Sequence, residues 1–204
     1  GRNVTIDGKM AAAEELIIIA SGSSYNAAFT AKLFLEKICG IKTTLFYPNM
    51  FVNYNTDIRK NAAYLFISQG GQTKLVYEAM LLAKKDGCYT YAMTAEKDCI
   101  IARDADCWLD MGCGKEEYRF RTLGFSATAA SVMMLGAALA FRKGILSEEA
   151  YGQLRKDLVE AARNLEQIRI DTLAWYEKNK FPMLRRDTVL FVGAGELWPV
   201  AQES

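Results

Sequence analysis

Short apolar runs punctuate residues 1–145 of this chain: Leu16–Ala20, Thr43–Tyr47, Ala63–Ile67, Tyr89–Met93 and Cys107–Met111. A run with almost no polar position has no wet face, so as a strand it must be covered on both sides. The stretches between the runs are longer and several space their apolar residues as one helical face, so each crossover returns the chain to the same end of the sheet. The expected fold class is therefore α/β, a three-layer α/β/α sandwich around a five-stranded parallel sheet of flavodoxin-like or Rossmann-like type.

The helices follow from local signals. The first is expected from the turn Ser21-Gly22-Ser23-Ser24 through Lys37, with Cys39 and Gly40 closing it. Pro48 stops the second strand ahead of a short helix around Met50–Tyr54. Lys74–Lys85 places Leu75, Val76, Ala79, Met80 and Ala83 on one helical face, and Asp86-Gly87 turns the chain into the fourth strand.

Two of the strand-to-helix turns carry the chemistry. SGSSYN follows the first strand and SQGGQT follows the third, so both lie at the carboxyl edge of one parallel sheet, where open α/β folds place ligands. Their hydroxyls, amides and glycines expose donors at helix N-termini, where unpaired N–H groups and the macrodipole favour an anion. Ser23, Ser24, Ser68, Gln69, Gly70, Gly71 and Thr73 are the candidate binding residues for a phosphate and neighbouring sugar hydroxyls. The competing expectation is that the hydroxyls merely cap helices. Nucleotide readings fail on motif: neither turn ends in GK[ST], and Thr43, Thr44 and Leu45 stand where a nicotinamide fold wants an acid.

Composition narrows the chemistry. With 25 basic and 24 acidic residues, the chain lacks the field that recruits nucleic acid or an acidic membrane surface. No histidine is present, which removes Ser/His and Cys/His pairs and histidine metal sites. The 5 cysteines form no CxxC pair, so no metal or other cofactor is expected and a reducing cytoplasm fits best. Thr122–Phe141 is uncharged over the length a bilayer needs, but its serines, threonines, glycines and alanines suit a buried, closely packed helix at a subunit interface better than a membrane span. Gly1–Lys9 is polar and has no signal-peptide pattern.

Beyond Gly144 the texture changes. Ser147, Glu148 and Glu149 open a helical connector over 146–186, with Leu154, Leu158, Ala161, Leu165 and Ile168 on one stripe and a break at Lys180-Phe181-Pro182. Val189–Val192 then reads as another buried strand before Gly193-Ala194-Gly195-Glu196. VLFVGAGELWPVA echoes LIIIASGSSYNAA, so residues 187–204 are expected to begin a second, incomplete unit of the kind spanning 1–145. Glu116 and Glu117 are the paired carboxylates nearest the sheet edge. One of them is a candidate proton shuttle, against the simpler expectation of a solvated cluster with Arg119 and Arg121.

These residues resemble the sugar isomerase (SIS) family, the phosphosugar-binding domain of bacterial sugar-phosphate isomerases and of glucosamine-6-phosphate synthase. SGSSYNAA is similar to the family's first turn and ISQGGQT to its SQSGET signature. GKEEYRFRTLGFSATAASVMML is similar to its GxE segment followed by a serine- and threonine-rich helix. The resemblance implies that Ser68, Gln69 and Thr73 hold the phosphate, with Ser23 and Ser24 nearer the sugar. It also implies tandem domains in homodimers, with this chain as the N-terminal half. Gly70 replaces a serine and Gln72 a glutamate of the signature, leaving more of the contact to backbone N–H groups. The catalytic glutamate, histidine and lysine of the tandem enzymes match positions past Ser204, so the catalytic residues stay unassigned, and binding without turnover is expected of the chain itself. The implied function is aldose-ketose isomerisation or aminosugar-phosphate deamination by proton transfer between C1 and C2. The alternative is a sugar-phosphate sensor, although no helix-turn-helix unit or basic face accompanies it.

Overall fold

Residues 6–54, 58–116 and 122–204 are described by the structure, a computed structural model. In chain order they form α1 (Gly8–Ala12), β1 (Glu15–Ala20), α2 (Ser23–Lys37), β2 (Thr43–Phe46), α3 (Pro48–Tyr54), β3 (Ala62–Ile67), α4 (Lys74–Lys85), β4 (Thr90–Thr94), α5 (Ile100–Asp104), β5 (Cys107–Asp110), α6 (Leu123–Arg142), α7 (Glu148–Leu184), a 3-10 turn (Gly195–Leu197) and α8 (Trp198–Glu203). All the strand pairs are parallel, in the order β2-β1-β3-β4-β5. The α/β sandwich expected from the apolar runs is therefore present, with flavodoxin-like strand order.

Alternation along β1 divides the core. Leu16, Ile18 and Ala20 face a layer built from α1, α2 and α6, with Met10, Ala28, Ala31, Leu35, Val132, Leu135 and Leu139 buried against them. Ile17 and Ile19 face the opposite layer, where Phe51 of α3, Val76, Ala79 and Met80 of α4, and Ile101 of α5 are buried. The helix after β1 thus packs on one face and the helix after β3 on the other. The two strands are neighbours, with Ala20 opposite Ile67, so the chain parts to opposite faces above their carboxyl ends. A crevice opens at such a switch point, and it positions the candidate site.

The apolar segment Leu123–Arg142 is long and apolar enough to cross a membrane by length and composition alone, with mean hydropathy 1.7. In the fold it lies against α2, and its small residues have a use inside the subunit. A Cβ on Gly136 would stand 1.9 Å from Leu35 Cδ2, so glycine is what allows the two helices to approach.

Other expectations need correction. Val189–Val192 is not a strand: the backbone there is irregular, and Val192 is 91% exposed. An apolar run becomes a strand only beside a partner, and among the described residues no strand lies next to it. Pro182 does not break α7, which continues to Leu184. The carbonyl that loses its donor to proline sits on an exposed helix, so water replaces the missing bond. The stripe on α7 is not covered along its length, because Leu154 packs against the core whereas Leu165 and Ile168 are 54% and 55% exposed. β4 is shifted by one residue from the expected Tyr89–Met93. The Asp106 carboxylate accepts from both the N–H and the hydroxyl of Thr90, and the hydroxyl of Thr94, fully buried, donates to the Glu96 carbonyl.

Candidate functional site

Each candidate residue sits where its strand ends. Gly22 precedes α2 at φ 55, and Ser23 and Ser24, half-buried, form that helix's first turn. Ser68 and Gln69, both buried, follow β3; Gly70 is exposed, and Thr73 occupies the position before α4. The structure brings Ser68 and Thr73 together, their hydroxyls 2.8 Å apart and hydrogen-bonded. Ser23 and Ser24 belong to the turn on the adjacent strand.

Capping does not account for these hydroxyls. No side chain caps α2 at Gly22 or α4 at Thr73, in contrast to α1 and α7, where Asp7 and Ser147 accept from Met10 and Ala150. Two helix N-termini with no side-chain cap, side by side at one sheet edge, present donors and positive dipole ends to the same solvent. Such an arrangement suits an oxyanion and needs no lysine or arginine.

The turn after β3 is held by its own backbone. Gly71 N–H donates to the Ser68 carbonyl at 3.0 Å, and Ala95 N–H donates to the Gln69 carbonyl at 2.9 Å. Gly71 adopts φ +62, and a Cβ there would stand 2.0 Å from Cys99 Sγ. Only glycine meets both demands. Gly70 has open space beside it, so its backbone approaches any ligand without a side chain intervening.

Gln69 turns inward. Its amide nitrogen donates to Glu116 Oε2 at 3.0 Å, while Gly124 lies so close that a Cβ would stand 2.1 Å from Gln69 Oε1. Glu116 also accepts from the backbone N–H groups of Thr122, Leu123 and Gly124 at 2.9, 3.0 and 3.1 Å. The residue is only 8% exposed. Burial alone would raise its carboxyl pKa, but the hydrogen bonds from Gln69 and from the Gly124, Leu123 and Thr122 amides outweigh that and bring it down to about 2. Glu116 is therefore buried rather than solvated, and it is not suited to take a proton near neutral pH. Glu117, Arg119 and Arg121, the rest of the expected cluster, lie outside the described residues.

This clamp is the feature that sequence reasoning missed. The GxE step before a hydroxyl-rich helix was its visible signal, but nothing local tells that the carboxylate reaches both that helix and the third strand's turn. A second acid network lies at the opposite, amino edge of the sheet. There Glu15 accepts from Thr44 and Arg59 and pairs with Lys42, and its carboxyl is lowered because those contacts outweigh burial. Among the described residues no group of three His, Cys, Asp or Glu side chains is placed to hold a metal.

The SIS domain model matches residues 9–141. Glutamine–fructose-6-phosphate aminotransferase (isomerizing) of Vibrio vulnificus YJ016 is 30% identical over 200 residues, which cover 94% of this chain and 31% of that protein. The chain thus spans about a third of that curated relative. Among solved structures, glucosamine-6-phosphate deaminase from Thermotoga maritima is 26% identical with TM-score 0.59, over 69% of this chain and 43% of that one. The C-terminal domain of glucosamine-fructose-6-phosphate aminotransferase from Francisella tularensis matches with TM-score 0.87 over 98% of this chain and 58% of that one. At 20% identity it speaks for the fold alone.

Proposed function

The chain belongs to the SIS domain family, and from that premise we propose that it binds a sugar phosphate at the carboxyl edge between β1 and β3, as part of an aldose-ketose phosphosugar isomerase or an aminosugar-phosphate deaminase. The observation that carries this reading is the pair of adjacent helix N-termini, α2 and α4, which no side chain caps. The phosphate sits on those N–H groups of the 68–73 turn that the Met93 and Ser68 carbonyls do not already take, and on the Ser68 and Thr73 hydroxyls, and Ser23 and Ser24 meet the sugar. Each neutral contact contributes roughly 1 kcal/mol, and more toward a charged oxygen.

The chemistry is proton transfer between C1 and C2 of the opened sugar, through an enediol or, with nitrogen at C2, an enolamine. Support comes from the relatives, whose names join fructose 6-phosphate to amino transfer and glucosamine 6-phosphate to deamination. Glu116 does not serve as the base, since its lone pairs are engaged and its carboxyl is held near 2. Residues 187–204 begin a second unit of the same kind, the protein works in the cytoplasm as a homodimer, and the acid and base come from outside the residues discussed above. A regulatory sensor using the same cradle is the second reading, favoured by the lack of a free base among the described residues of the turns.

Calorimetric titration with fructose 6-phosphate and glucosamine 6-phosphate tests the cradle. The Ser68→Ala/Thr73→Ala variant is expected to bind at least about tenfold more weakly, the loss of two hydrogen bonds. Equal affinity in variant and parent would remove the proposed cradle.

A further inference from the structure

We propose that Glu116 is a positioning residue for the anion cradle, acting through Gln69 rather than touching the ligand. This inference rests on the phosphate-binding reading of the 68–73 turn and adds the part that holds that turn in shape. The carboxylate lies between two elements that are distant in sequence. One oxygen, Oε1, takes the N–H groups of Thr122 and Leu123 and the Thr122 hydroxyl; the other, Oε2, takes Gly124 N–H and the Gln69 amide. Gln69 is the second residue of the turn, 8% exposed, and its side-chain amide donates to Glu116 and also lies against the Cys113 thiol. Without the carboxylate, the buried amide keeps only its weak contact with the Cys113 thiol, and its cheapest remedy is to rotate toward water at the mouth of the turn.

A second consequence is selectivity between helix ends. Three N–H groups at the start of α6 are saturated by a fixed negative charge, so that terminus repels a phosphate, whereas the start of α4 stays available and that of α2 has the Glu203 carboxylate one turn in, accepting from Asn26. The anion is thereby directed to one place on an edge that has several dipole ends. Gly124 completes the device from the far side, because its missing side chain is what leaves room for the Gln69 carboxamide.

Two variants attack the link independently. Glu116→Ala removes the acceptor, whereas Gly124→Ala keeps the charge and pushes on Gln69 Oε1 from behind. In the full chain, at a temperature where circular dichroism shows each variant folded, both are expected to lower affinity for fructose 6-phosphate and for inorganic phosphate about tenfold or more. The double variant is expected to be no weaker than the weaker-binding single one, since both changes break the same link. Backbone hydrogen exchange supplies a readout that does not need ligand: the amides of Gly71 and Ala95, which bond within and beside the turn, should exchange faster in Glu116→Ala. If the parent binds and both folded variants bind equally well, the positioning role is overturned and the phosphate site stands. If the parent fails to bind, the phosphate reading fails, and exchange then decides this inference: unchanged protection at Gly71 and Ala95 overturns it.

Discussion

Residue by residue, the site uses few charges, and the one it does use is turned away from the ligand. The Glu116 carboxyl titrates at about 2 in the fold against 4.5 for an ordinary glutamate. A folded-state value below the unfolded one means that ionised Glu116 stabilises the fold at and above pH 4.5, and that this contribution fades as pH drops from there toward 2. The magnitude is on the order of 2–3 kcal/mol. Urea unfolding between pH 2 and 7 should show the parent losing its advantage over Glu116→Gln through that window. An advantage that does not change with pH would mean that the carboxylate is not held by those bonds. The comparison with Glu116→Gln matters, because Glu15 and Asp106 are also lowered and contribute to acid unfolding in both proteins. None of this was legible in the sequence, where Glu116 stands beside Glu117 and two arginines in what looks like a wet loop.

Elements were far easier to read than residues. The strands were legible because each is mostly apolar and ends near glycine, proline, serine or another turn residue, and α4 was placed at Lys74–Lys85 by its periodicity. α1 and α5 were not, since each is 5 residues long, too short for a helical period to emerge. Val189–Val192 shows the opposite failure: the local signal for a strand is strong, but pairing is a tertiary property, and no neighbour meets it here. α6 was correctly expected to be buried and closely packed, and its tightest contact is with α2 of the same chain. Gly136→Ala should therefore cost about 1–3 kcal/mol in thermal or denaturant unfolding, because the new methyl meets Leu35 Cδ2 at 1.9 Å. Adding Leu35→Ala to that variant should recover part of the overlap cost while leaving its own cavity. Full additivity of the two changes would refute the contact.

For the molecule as a whole, the parallel order β2-β1-β3-β4-β5 is the reason two distant turns face one solvent region. Helices after β1 and β3 leave to opposite faces, and the edge between them is the only place among the described residues where two long helices without side-chain caps begin on neighbouring strands. The amino edge carries the contrasting chemistry, with Lys42 and Arg59 arranged around Glu15. These two edges make opposite claims on a phosphate, one through oriented backbone donors and one through cationic side chains. Amide chemical-shift mapping during titration of the full chain with fructose 6-phosphate separates them. The account predicts saturable shifts at Ser23, Ser24, Gly70, Gly71, Lys74 and Leu75; shifts confined to the residues around Glu15, Lys42 and Arg59, or none at all, would contradict it.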